Sequence, residues 1–422
     1  MTQTAITSEA DKRHYFMSIT IIGILFFIFG FVTWLNGTLI PFLKISCELN
    51  DLQALFVAFA FYIAYFVMAP PSSWVLHRIG YKNGMSLGLL IMAVGSLVFI
   101  PAALSRTFWL FLTGLFIQGT GLALLQTASN PYIIIIGPGE SAARRIAIMG
   151  ICNKVAGVIS PLILSSIVLA GANEMMENLQ KIHGAERIVM LDSLAHRVIL
   201  PYIVMAVILF ILSVMIRFAH LPDVDTEKEE PAPGRTTKTA WWQFPHLILG
   251  FVALFLYVGA EVIAGDTITL YGQSMNIPLD KAKFFTSLTL GSMVLGYILG
   301  ILTIPKILRQ GQALAISAVL GVLFSLGALF TSGMTSIWFI ALLGLANAMM
   351  WPAIFPLAIA DLGKFTKAGS ALLIMGIAGG ATLPLLYGVL ARTFNNQQAY
   401  WIMVPMYLFI FYFAVKGNKI RI

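Results

Sequence analysis

An all-α membrane protein of twelve transmembrane helices, arranged as two six-helix bundles, is the fold class this sequence predicts. Three observations predict it. The 422 residues are 59% hydrophobic and only 10% charged, with a mean hydropathy of +0.89; a soluble domain carries about 25% charged residues. Twelve apolar stretches of spanning length recur along the chain, each near the ~20 residues that a helix needs to cross a bilayer. One polar segment divides them six and six. Helices are required because lipid offers the backbone no hydrogen-bond partner. A β-barrel is excluded: residues 21–32 are continuously apolar, without the alternation of a barrel strand.

Residues 1–16 are polar and carry no signal-peptide pattern, so the first span is expected to insert uncleaved. The first six spans fall near 17–41, 52–75, 83–104, 107–136, 145–170 and 197–219. Residues 221–240 (LPDVDTEKEEPAPGRTTKTA) nearly lack large apolar groups and read as a solvated linker. The remaining spans fall near 244–271, 283–306, 311–332, 335–360, 367–391 and 398–415. The domains are therefore 1–220, a first bundle; 221–240, the linker; and 241–422, a second bundle. Residues 171–196 are the one sizeable loop on the side opposite the linker.

An even span count puts both termini on the linker side. That side holds seventeen Lys and Arg and the other eight, with Lys154 inside a span. The excess places the termini and linker in the cytoplasm, and the chain in a bacterial inner membrane. The net charge of +8 is thereby a matter of orientation and implies no nucleic-acid partner. Cys47 and Cys152 make no disulfide framework.

The halves read as repeats. Residues 148–151 and 374–377 both spell IMGI, in the fifth and eleventh spans, and Pro131 of the fourth span has a counterpart in Pro352 of the tenth. Two parallel repeats facing a central cavity form a transporter architecture with its site near the midplane.

Few ionisable residues lie inside spans: Lys154, Glu261 and Asp266. A carboxylate at membrane depth costs about 3 kcal/mol even on insertion scales and marks an ion or substrate pathway. Glu261 and Asp266 sit about 140° apart on a helix and share a broad sector. Facing one cavity with Lys154, they leave one negative charge to hold Na⁺ or H⁺. A static ion pair, or a Lys154 that snorkels to the membrane surface, is the structural alternative. Asn36, Gln126, Asn130 and Asn153 offer amide donors and acceptors to a polyol, or else join helices to one another. Trp34, Phe59, Tyr62, Tyr65, Tyr271 and Trp351 are aromatic candidates for the apolar face of a sugar ring. No nucleophile–base pair, metal-ligand spacing or ATPase motif appears, so no enzyme activity and no cofactor are expected beyond a coupling ion.

The segments FFIFGFVTWLNGTLIPFLK (26–44), LLQTASNPYIIIIGP (124–138), RIAIMGICNKVAGVISP (145–161) and YVGAEVIAGDTITLYG (257–272) resemble the fucose/galactose/glucose cation symporter family of the major facilitator superfamily, nearer its bacterial glucose/galactose branch. The resemblance implies the major facilitator fold, alternating access and a hexose site between the bundles. It implies that Asn36, Asn130 and Asn153 contribute to that site. Two acids essential in the fucose permeases are replaced here by Gly37 and Gln126, which do not titrate. His77 also stands where the superfamily's motif between the second and third spans has Asp.

The expected function is symport of a hexose such as glucose or galactose with a cation, Na⁺ favoured over H⁺, by a monomer in the lipid bilayer. Asn36, Gln126, Asn130, Asn153, Lys154 and Trp351 are the expected sugar contacts. Glu261, Asp266 and Thr267, with carbonyls near Gly265, are the expected oxygen ligands of a hard cation. The alternatives are an uncoupled uniporter, a proton symporter of N-acetylglucosamine or another monosaccharide, and a non-transporting sugar sensor.

Overall fold

The structure is a computed structural model that describes residues 9–135, 142–219, 241–304, 307–362 and 365–420. The linker expected over 221–240, with Gly137 and Pro138 of the fourth-span motif, lies outside the described residues, as does the side chain of His77.

Among the described residues, twelve helices are long and apolar enough to cross a membrane. In the first half they are Phe16–Ser46, Asp51–Leu76, Arg78–Leu104, Phe108–Asn130, Ile148–Lys181 and Ala185–Phe218. In the second half they are Pro245–Asp266, Leu279–Thr303, Gln310–Phe330, Gly333–Ile359, Leu372–Thr393 and Gln398–Lys419. They are called the first to twelfth spans below, and each expected span has its counterpart. The second and third spans run almost directly into one another. Gly80 makes the turn at φ 75°, ψ 171°, a backbone region essentially confined to glycine.

The spans sort their faces by helical period. In the sixth, Leu200, Val204, Val207, Ile211, Val214 and Phe218 are exposed, while Tyr202, Met205, Leu209, Ser213 and Ile216 are buried. The exposed stripe is as apolar as the buried one, as expected where the outer solvent is lipid. Small residues set the closest approaches. A Cβ on Gly30 of the first span would collide with the Asn153 carbonyl of the fifth, and one on Gly379 of the eleventh with the Phe255 carbonyl of the seventh. These are equivalent helix pairs of the two halves, so the repeat read from IMGI extends to packing.

Two departures from the expected spans matter for the site. The first span is interrupted at Leu35, between helices Glu9–Trp34 and Asn36–Ser46. The seventh is interrupted at Thr267, between Pro245–Asp266 and Ile268–Ser274. These are the opening spans of the two halves. The stretch 171–196, read from sequence as a loop, folds into helices Ala172–Lys181 and Ala185–His196. Arg106 to Asp192 at 3.2 Å and Arg187 to Glu48 at 2.9 Å pin this insert to the first half.

The insert lies on the far side, opposite the chain's ends, and there the halves are in contact. Asn173 Oδ1 accepts from the Leu279 backbone N–H at 2.9 Å. Lys283 Nζ donates at 3.4 Å to the carbonyl of Leu169, the residue after the helix that ends at Val168. Ser287 Oγ donates to the Val158 carbonyl at 2.8 Å.

Candidate functional site

Between the halves lies a cavity with about 890 Å³ of empty space, a figure that includes its open mouth. Its lining runs from Thr33 and Glu261 to Ile146, which lies at the near-side start of the fifth span. Far-side contacts close it from the other direction.

The first half contributes Gln126, Asn130, Asn153 and Lys154 to this lining, and the second half Glu261 and Trp351. Six of the expected site residues, scattered over 226 positions of sequence, thus meet in one cavity. Lys154 Nζ donates to Glu261 Oε1 at 2.5 Å, and the two residues are 7% and 8% exposed. The same ammonium sits 4.7 Å from the Trp34 ring centroid, so an aromatic face and a carboxylate share its charge. Gln126 Nε2 donates to the Tyr65 hydroxyl at 2.9 Å. Asn153 Nδ2 donates to the Phe26 carbonyl at 3.3 Å, leaving its oxygen as an acceptor. Trp351 stacks on Phe355 with centroids 5.9 Å apart and tilts against Tyr257 at 6.5 Å. The tenth span is interrupted just before it, between Asn347 and Met350.

Asn36, Asp266 and Thr267 do not line the cavity. Asn36 is buried. Asp266 is 0% exposed, and neither carboxyl oxygen has a partner. Thr267 is occupied: its hydroxyl donates to the Ile263 carbonyl at 2.6 Å and lies 3.0 Å from the Tyr400 hydroxyl. Thr286 donates to the Gly265 carbonyl at 2.8 Å and Thr289 to that of Ala264 at 3.3 Å. Of the expected cation ligands, Glu261 turns to Lys154, the Gly265 and Ala264 carbonyls accept from Thr286 and Thr289, and the Asp266 oxygens have no partner. Of the aromatic candidates, Trp34, Tyr62, Tyr65 and Trp351 line the cavity. Tyr271 is instead buried against Ser336 and Tyr400, and Phe59 packs on Phe56.

Sequence reasoning passed over Thr33, Tyr257 and Tyr297, which also line the cavity. Tyr257 was within reach, because it lies four residues before Glu261 and shares its helix face. Nothing local marked Tyr297, which enters from the eighth span.

Comparison with known proteins bears on all of this. Residues 22–378 match the profile of the Major Facilitator Superfamily. The glucose/galactose transporter of Brucella abortus (strain 2308) is 32% identical over 420 residues, covering 98% of this chain and 97% of that protein. The L-fucose-proton symporter of Escherichia coli (strain K12) is 27% identical over 424 residues, 97% and 95% of the two chains. Among solved structures, the superfamily transporter FucP in its outward conformation superposes with a TM-score of 0.75 at 26% identity, over 95% of this chain and 98% of that one.

Proposed function

The chain belongs to the major facilitator superfamily, and on that premise we propose that it is a secondary transporter carrying a hexose, glucose or galactose, in symport with a cation across a bacterial inner membrane. The observation that carries this reading is the cavity between the halves, where Gln126, Asn130 and Asn153 from one side face Glu261 and Trp351 from the other. Amides supply paired donors and acceptors to ring hydroxyls, and the aromatic faces of Trp351 and Trp34 suit the apolar face of a pyranose. The names of the Brucella and Escherichia relatives support a monosaccharide as cargo.

The excess of Lys and Arg on the side of the termini puts that side in the cytoplasm. The far side is then the exterior, and the conformer described is closed to it. Alternating access follows from two rigid halves that exchange far-side contacts for near-side ones. Hexose hydroxyls compete for the Lys154 ammonium and the Glu261 carboxylate, so sugar binding loosens the one ion pair seen across the cavity. A coupling cation drives accumulation by favouring the sugar-competent state. Na⁺ and H⁺ are the two candidates that intramembrane carboxylates can take.

A second reading, an uncoupled uniporter, draws on the same ion pair: with Glu261 compensated by Lys154, the pair can be purely structural. Radiolabelled glucose and galactose uptake into proteoliposomes separates the two, under a Na⁺ gradient, a proton gradient, or neither. Accumulation above equilibrium with either gradient supports symport. Equilibration regardless of gradient supports the uniporter, and absence of uptake of both sugars overturns the hexose assignment.

A further inference from the structure

Outside the cavity, the most anomalous side chain is Asp266. Its carboxyl is 0% exposed, and both oxygens lack a hydrogen-bond partner. Facing elements are polar but uncharged. Asn36 lies just after Leu35 of the first span and is 1% exposed. The two interruptions meet: a Cβ on Gly265 would fall 2.5 Å from the Trp34 ring, and one on Gly37 would strike the hydroxyl of Thr286, which itself bonds Gly265. Tyr62 of the second span lines the cavity.

The titratable groups around Asp266 are few. Glu261, on the same helix, is tied to Lys154 of the fifth span. Tyr62 faces it from the second span. The neighbouring Thr267 bonds Tyr400, which packs on Tyr271 and Tyr387. No cation among them is paired to Asp266, and a bare carboxylate with no donor does not persist in a protein interior. A hard cation would need a shell of oxygens, but Thr267 and the Gly265 and Ala264 carbonyls are engaged by protein donors. A proton needs only the carboxyl.

We propose that Asp266, at the end of helix Pro245–Asp266 where the first and seventh spans meet, is the proton-binding site of this transporter, separate from the hexose cavity. This deepens the symport reading, on which its coupling role rests, and it selects H⁺ over Na⁺. In the far-side-closed conformer the site is loaded and sealed. Opening the far side exposes it to the exterior. Release gives the carboxyl proton to water that reaches the site once it opens, so Asp266 ends ionised and the water carries H⁺ away.

Two measurements on the reconstituted full-length protein test this. The first is infrared spectroscopy at neutral pH, which needs no transport. The C=O stretch of a neutral carboxylic acid is expected in the wild type and in Glu261→Gln, and is lost in Asp266→Asn. Absence of that band from the wild type, or its survival in Asp266→Asn, overturns the proposal even if hexose is transported. The second compares accumulation with counterflow, which needs no net proton movement. One pH unit supports up to about tenfold accumulation at one proton per sugar. Asp266→Asn is expected to lose this accumulation while counterflow stays measurable, and Asp266→Glu, which keeps a titratable acid, to regain part of it. Accumulation driven by Na⁺ alone, or undiminished in Asp266→Asn, overturns the proposal. A wild type with the infrared band but no hexose counterflow upholds the proton site and instead defeats the hexose reading.

Discussion

Lys154 and Glu261 join the two halves of the molecule through a 2.5 Å ion pair, 107 residues apart in sequence and each less than a tenth exposed. Buried pairs of this kind are poor sources of net stability but costly to break singly, by about 3–5 kcal/mol, because the orphaned charge stays buried. Lys154→Met and Glu261→Gln are each expected to lower the melting temperature of the detergent-solubilised protein. The double variant should recover much of the loss, since neither charge is then left alone. Transport should fail in all three. Additive losses in the double variant would show that the two residues do not act as a pair.

Gln126 and Asn153 reach the cavity from adjacent helices, each with one donor already engaged. Truncating either to Ala removes one or two hydrogen bonds to a bound hexose. At about 1–1.5 kcal/mol net per bond, the apparent affinity in a tryptophan-fluorescence or scintillation-proximity titration should weaken by about tenfold. Asn153→Ala should cost no more than about 1 kcal/mol of stability, since its Phe26 bond is long.

Trp351 owes its place to Phe355 and Tyr257, which stack and tilt against it. If its face meets the sugar ring, Trp351→Ala should weaken hexose binding by about 1 kcal/mol or more, and Trp351→Phe should restore part of that. Equal losses in both variants would point to shape rather than an aromatic face.

The far-side closure depends on a handful of bonds. Lys283 is 9% exposed and donates to the Leu169 carbonyl, where the helix dipole also favours a cation. Lys283→Ala and Asn173→Ala should each shift the population toward the far-side-open state by about 1 kcal/mol, roughly fivefold. Distances between spin labels on the insert Ala172–Lys181 and on the eighth span should report the shift as a longer-distance component.

The approach of Gly30 to the Asn153 carbonyl allows no side chain without moving the fifth span. Gly30→Leu should therefore abolish folded, monodisperse protein, while Gly23→Ala, facing only the ends of Cys152 and Met149 at 3.8 Å, should be tolerated. Size-exclusion profiles after detergent extraction decide it.

The twelve spans were legible in the sequence, as was the scarcity of ionisable residues within them. Lipid imposes them: a chain in hydrocarbon must close its own backbone hydrogen bonds, so hydrophobic length maps onto helices almost one to one. The amides of the fourth and fifth spans were legible for the same reason, since polar groups at that depth are scarce and need a purpose. Less legible was the stretch 171–196, whose polarity reads as loop although it folds into two helices.

What the residues of a span meet across the interface is another matter. Lys154 and Glu261 could be named from sequence, but not their pairing. Nor was the separation of the two acids legible: Glu261 faces the cavity and Asp266 is buried away from it, although only five positions part them. Inside a membrane the buried and lipid-facing sides of a helix are equally apolar, so no hydrophobic stripe tells which way a polar side chain points. Rotation and crossing are decided by small residues such as Gly30 and Gly379 and by the carbonyls they meet on another helix. The sequence by itself therefore determined the number of helices, their order and the scarce polar groups they carry. Only the tertiary structure, by setting the rotation of each helix against its neighbours, decided which of those groups share a cavity and which lies closed away from it.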